Sequence, residues 1–170
     1  MAKIHNDKYY TPDLVVKKVI EVLEKDVMPI NKFSRIIEPS AGAGAFLKRL
    51  PEKTIGYDIE PQSENIIKGD YLKQDIPYLK DSLVIGNPPF GEAGNLHTEF
   101  IKRSIEHSDY VAFVLPGDMY KKDKFEGIEL YKTYMLPAVK YSGVKLKCCF
   151  NIYCKRKKRL KEKNIKNVEI

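Results

Sequence analysis

The sequence predicts an α/β chain with a mostly parallel sheet and helices on both faces, and two observations lead there. Short apolar runs alternate with helical patterns as far as Leu115. These runs end at or just before Glu38, Asp58, Asp70 and Asn87, each beside a turn. In sheets of this kind ligands bind beyond the carboxyl ends of the strands, so these four residues are expected to share one site.

Composition narrows the class before any motif does. The chain has 170 residues, 43% of them hydrophobic and 31% charged, which describes one globular domain with a real core. No run approaches the ~20 apolar residues of a spanning helix, and the first residues lack a signal-peptide core. The expected compartment is cytoplasmic. Cys148, Cys149 and Cys154 have no ligand spacing, and His5, His97 and His107 do not complement them. They read as free thiols of a core strand, with no metal expected. The formal charge is +7, but 10 of the 30 Lys/Arg and 2 of the 23 Asp/Glu fall in residues 144–170, which leaves 20 and 21 for the rest. The basic excess is therefore a tail, suited either to phosphate contact or to solubility.

In chain order, Thr11-Pro12-Asp13 is a helix start signal, with Thr11 as N-cap, Pro12 at the first helical position and Asp13 in the first turn. Leu14, Val15, Val19, Val22 and Leu23 then share a face. A strand over 35–37 ends at Glu38, followed by the small-residue loop Pro39-Ser40-Ala41-Gly42-Ala43-Gly44 and an expected helix over 45–50. Gly42 and Gly44 permit a tight turn and close approach of a ligand to bare backbone. Leu47 stands where the dinucleotide fingerprint wants its third glycine, so NAD and FAD readings are weak, and a P-loop is excluded because no Gly-Lys-Ser/Thr follows.

A second strand ends at Asp58, 20 residues after Glu38, the separation at which a carboxylate meets ribose hydroxyls. Ile59 adds an apolar surface for a ring. A third strand over 65–68 delivers Asp70. The stretch Leu83-Val84-Ile85-Gly86-Asn87-Pro88-Pro89-Phe90 is an apolar strand running into an amide, two prolines and an aromatic ring. The prolines fix φ and lack an N–H, so the Asn87 oxygen and the Pro88 carbonyl are two acceptors that can converge on one –NH2 group. Phe90 offers a face for a base. The competing reading is a Pro-Pro turn ending a buried strand. A polar loop over 91–96, a helix over 98–107, a strand over 110–115 and an exposed loop over 121–124 follow. Residues 131–135 are expected to be helical and 145–154 to form a strand or hairpin arm, before a basic tail without an apolar face.

With Glu-Pro-Ser-Ala-Gly-Ala-Gly and Asn-Pro-Pro-Phe in this order, the chain resembles S-adenosylmethionine-dependent amino-methyltransferases. It is most similar to the adenine-specific (N6) DNA enzymes. The resemblance covers about residues 9–154. It implies a Rossmann-like class I methyltransferase fold with a seven-stranded sheet, with residues 1–154 expected as the catalytic domain and 155–170 as a basic tail; related DNA enzymes usually carry a separate target-recognition domain, and here none is expected. Cofactor contacts implied for S-adenosyl-L-methionine are Tyr10 and Thr11 near its carboxylate, and Glu38, Ser40, Gly42 and Gly44 around its methionine part. Asp58 is implied for the ribose, with Ile59 and Asp70 for the adenine. Asn87, Pro88, Pro89 and Phe90 would hold the target base. The implied substrate is nucleic acid, DNA ahead of RNA, with a second copy or a partner subunit supplying recognition. Rival readings are an RNA adenine methyltransferase, a protein glutamine methyltransferase, and a non-catalytic binding module with the same fold.

Overall fold

The computed structural model describes residues 10–91 and 95–156. Nearly all of the predicted basic tail therefore lies outside the described residues. Two α-helices, α1 (Asp13–Asp26) and α2 (Leu96–His107), accompany nine strands among these residues. The strands are β1 (Arg35–Glu38), β2 (Ile55–Asp58), β3 (Ile66–Lys68), β4 (Ser82–Gly86), β5 (Tyr110–Pro116), β6 (Ile128–Met135), β7 (Val139–Tyr141), β8 (Val144–Leu146) and β9 (Cys148–Lys155).

Seven strands form one sheet in the order β3-β2-β1-β4-β5-β9-β6. The pairs among β1 to β5 are all parallel, and β9 lies antiparallel between β5 and β6. The chain winds outward from β1 to β3, returns, and winds the other way from β4 to β5. The strand order thus reverses between β1 and β4, and the carboxyl ends of these two strands flank the crevice where such sheets bind ligands.

Period-two alternation assigns the two faces. Ile36, Leu83, Ile85, Ala112, Val114, Phe150 and Ile152 pack with Val15, Val16, Val19 and Leu23 of α1. Ile37, Val84, Val111, Phe113, Leu115 and Tyr153 pack with Phe100, Ile101 and Ile105 of α2 on the other face. Strands covered on both faces read as continuous apolar runs, which is why β4 and β5 are so apolar. Each fully buried Val, Leu, Ile or Phe among them contributes ~1.5–3 kcal/mol. Cys148 and Cys149 are buried free thiols of β9. No helix among the described residues is long and apolar enough to cross a membrane.

Several local expectations change. Residues 131–135 belong to strand β6, paired antiparallel with β9, not to a helix. Tyr131, Thr133 and Tyr134 favour a pleated surface, and five residues are too few for helical periodicity to decide. The expected helix over 45–50 is a turn and a 3-10 helix at Leu47–Arg49, since six residues before Pro51 cannot repay helix nucleation. Helix α1 starts as expected, but its N-cap is Pro12 and no side chain caps it. Leu14 is 71% exposed and lies off the buried face. The stretch 145–154 divides into β8 and β9, and β8 pairs with β7 in a hairpin outside the main sheet.

Candidate active site

Two adjoining hollows open at the carboxyl ends of β1, β2 and β4. The first is lined by Tyr10, Thr11, Glu38, Ser40, Ala41, Gly42, Ala45, Phe46, Asn87, Pro88, Pro89 and Phe90. The second is lined by Pro39, Ser40, Asp58, Ile59, Gly69, Asp70, Tyr71, Pro89 and Phe100. Ser40 and Pro89 line both, so the hollows form one continuous depression across the point where the strand order reverses. Every predicted site residue lines it except Gly44. That glycine (φ +90°) closes the turn instead, donating its N–H to the Ala41 carbonyl at 2.8 Å.

Glu38 ends β1 with only 1% exposure, and its Oε1 accepts the Ser40 N–H at 3.1 Å. A Cβ on Gly86, at the end of β4, would stand 2.3 Å from that same oxygen. Glycine is needed there for this close approach, because its backbone is otherwise extended. Asp58 ends β2 at 3% exposure. Its Oδ2 accepts the Gly42 N–H and its Oδ1 the Glu60 N–H, both at 2.8 Å. The carboxylate therefore ties the glycine loop to its own strand. Gly42 has φ +57°, and a Cβ there would meet the Tyr10 ring at 3.2 Å. Tyr10 thus lies over the glycine loop, held further by a hydrogen bond between its hydroxyl and Gln62.

Asp70 caps the 3-10 helix Tyr71–Lys73, accepting the Leu72 N–H at 3.0 Å. Tyr71 is buried, stacks on Phe100 at 5.6 Å, and bonds Ser104 Oγ at 2.9 Å and His107 Nε2. This polar knot under α2 fixes the turn that carries Asp70. Ile59 is 51% exposed at the rim, a large apolar side chain left in water beside the hollow.

Asn87 follows β4 directly. Its Nδ2 donates to Thr11 Oγ1 at 3.0 Å, so Thr11 holds the Asn87 amide where a helix N-cap was expected. With the amide nitrogen so engaged, Oδ1 is the acceptor end of this side chain. Phe90 meets the buried His97 ring edge-to-face at 5.9 Å, and its carbonyl accepts the Leu96 N–H at 2.9 Å. Burial holds the His97 imidazole below its ordinary pKa. His97, Phe100, Tyr71, Gln62 and Ser142 are the supporting residues that sequence reasoning missed. They carry no motif, because their contribution is contact across the fold. The sequence offers only the helix expected over 98–107, with nothing to mark it as the brace of the Asn-Pro-Pro-Phe loop.

The hollows hold the carboxylates of Glu38, Asp58 and Asp70, and among the described residues no Lys or Arg lines them. Such a site attracts a cationic ligand and offers a bare glycine backbone for its polar end and Ile59 for a flat ring. These features fit S-adenosyl-L-methionine, which carries a sulfonium, an ammonium and an adenine. Among the described residues no cluster of His, Cys, Asp and Glu could hold a metal ion.

No family model matches the chain, and no curated protein matches its sequence. Solved structures are similar in fold. The M protein of the type I restriction enzyme EcoKI superposes with a TM-score of 0.67 at 18% identity, over 88% of this chain and 44% of its own. This chain therefore spans less than half the length of that protein. A putative RNA methyltransferase from Pyrococcus horikoshii gives 0.65 at 16% identity, over 88% of both chains. The magnesium protoporphyrin IX methyltransferase of Synechocystis PCC 6803, solved with bound S-adenosylmethionine, gives 0.55 at 12% identity, over 85% of this chain and 79% of its own. The chain has the Rossmann-like fold of class I methyltransferases.

Proposed function

We propose that this chain transfers a methyl group from S-adenosyl-L-methionine to the exocyclic amino group of adenine in DNA. One observation carries the reading: the Asn87 amide, oriented by Thr11, stands in the same hollow as the Glu38 carboxylate and the Gly42 backbone. Thr11 and Glu38 lie far from Asn87 in sequence and serve one small volume with it.

When bound, the cofactor supplies an electrophilic methyl group on a sulfonium centre. Glu38 and Asp58 fix the glycine loop that would cradle its polar end, and Ile59 and Asp70 would take its ring. Asn87 Oδ1 and the Pro88 carbonyl would accept the two hydrogens of the target amine. Such acceptors favour a pyramidal nitrogen whose lone pair faces the methyl. They bind the amine more strongly as positive charge develops on it, which stabilises the transition state over the ground state. Pro88 and Pro89 keep these acceptors rigid, since neither ring lets the backbone reorient cheaply. Phe90, braced by His97, would stack the base once it has left the duplex. His97 is neutral at pH 7 and serves as a wall.

RNA is the second reading, favoured because the likeness to a putative RNA methyltransferase extends over 88% of both chains. The test is transfer of a labelled methyl group to duplex DNA, single-stranded DNA, RNA and a protein mixture, followed by nucleoside mass spectrometry. N6-methyldeoxyadenosine is the expected product. Label on RNA alone favours the second reading, and label on protein alone, or none, overturns both.

A further inference from the structure

From Glu129 the next acid in the sequence is Glu162. Residues 130–156 between them carry Lys132, Lys140, Lys145, Lys147, Lys155 and Arg156 and no carboxylate. Three of these lysines lie on or beside the β7–β8 hairpin. Its two-residue loop, Ser142-Gly143, has φ of +52° and +82°, the positive pair that a tight hairpin turn requires.

The turn sets a register with a consequence. Val139 faces Leu146, Tyr141 faces Val144, and Lys140 stands directly opposite Lys145. Tyr141 is buried, and Val139 and Leu146 pack on the α1 side of the core. The lysine pair is exposed on the other face. Like charges directly opposed destabilise a strand pair, and among the described residues neither lysine joins an ion pair. A polyanion lying across both ammonium groups turns this repulsion into attraction. The hairpin tip also reaches the hollow, because Ser142 Oγ accepts the N–H of Tyr10 at 2.7 Å and Tyr10 lines the hollow with Asn87 and Phe90.

We infer that the β7–β8 hairpin is where this chain grips the DNA backbone, with Lys140 and Lys145 on the phosphates beside the base delivered to Asn87. The inference rests on the DNA reading above. It assigns that reading a binding surface outside the hollow, and one that contributes affinity without reading sequence.

The experiment measures binding of a fluorescent duplex by the full chain across a salt series, for the wild type and for Lys140→Gln/Lys145→Gln. Every phosphate that a lysine no longer neutralises flattens the slope of log K against log salt by ~0.9, so the double variant should flatten it by about 1.8. Cofactor affinity should be unchanged, and the thermal midpoint equal or higher, because the opposed charges are gone. A control, Lys102→Gln/Lys155→Gln, removes the same charge away from the hairpin and should leave the slope close to that of wild type. An unchanged slope in the hairpin variant, while DNA is still methylated, overturns the hairpin assignment and leaves the active-site reading standing. Equal flattening in the control also overturns it, since net charge alone then accounts for binding. A wild type that binds no duplex DNA, or only an RNA duplex of equal length, overturns the hairpin assignment and the DNA reading together.

Discussion

Asn87 and Thr11 are 76 residues apart in sequence, and the Asn87 amide nitrogen donates to the Thr11 hydroxyl at 3.0 Å. This bond decides which end of the amide serves as acceptor, because a flipped side chain would present NH2 to an incoming amine and repel it. Thr11→Val removes the acceptor at nearly constant size. Losing one neutral hydrogen bond of ~0.5–1.5 kcal/mol lowers the single-turnover transfer rate by about 2- to 13-fold. Thr11→Ser keeps the hydroxyl and should restore most of the rate. Rapid-quench measurement on the two variants, beside cofactor affinity by calorimetry, checks the assignment; equal rates for Val and Thr at position 11 would remove it.

Asn87→Ala separates chemistry from binding. The fold of the crevice depends on Glu38, Gly86 and Asp58, so cofactor affinity should survive. Transfer should fall by ~100- to 1,000-fold, the scale of losing one preorganised polar group at a developing charge. Asp58→Ala should do the reverse. It frees the Gly42 and Glu60 N–H groups now held at 2.8 Å, and each charge-assisted bond of this kind contributes ~1.5–3 kcal/mol. Cofactor affinity should drop tenfold or more, with a lower thermal midpoint. Calorimetry on both variants reads the contrast directly.

Much of this site is legible in the sequence, and the physical reason is topological. A strand of a parallel sheet that ends in Glu38 or Asp58, or just before Asn87, delivers that residue to one edge whatever the details of packing, so three separate strand ends predict one crevice. Gly42 and Gly44 are legible because only glycine sits comfortably at their positive φ. The 131–135 part of β6 is not legible, since five mixed residues satisfy either period and the decision falls to the open edge beside β9. Nor is the Thr11 contact. A Thr before Pro-Asp satisfies the local capping rule, and only the tertiary position of Asn87 offers it a different partner. Tyr71, Ser104 and His107 meet between a 3-10 turn and α2 with no spacing to announce them.

Gly86→Ala tests how closely β1 and β4 approach. The new Cβ would stand 2.3 Å from Glu38 Oε1 and 3.0 Å from its Cδ. The Glu38 carboxylate must then move, and with it the bond to the Ser40 N–H. Overpacking of this kind costs ~1–3 kcal/mol, so the urea midpoint should fall and cofactor affinity with it. A variant as stable as the wild type and equally able to bind cofactor would mean that Glu38 has room to shift without consequence.

His107 gives the protein an acid-sensitive stability that is independent of the site chemistry. It is fully buried against Tyr71, and burial beside the Arg35 and Arg103 guanidinium groups lowers its pKa from the ordinary 6.5 to about 4. The folded chain therefore keeps this imidazole neutral while the unfolded chain protonates it, so the unfolded state binds more protons between these two values. Its contribution is fully present above pH 6.5 and is lost as the pH falls from 6.5 toward 4. A displacement of this size is worth ~3 kcal/mol at ~1.4 kcal/mol per pH unit. Urea unfolding at pH 7, 5.5 and 4.5 should show the wild type losing stability across this window. His107→Gln, which cannot take up the proton, should be less stable at pH 7 and flatter with pH. If the two profiles run parallel, another group sets the acid limit and the Tyr71–His107 knot is only a packing contact.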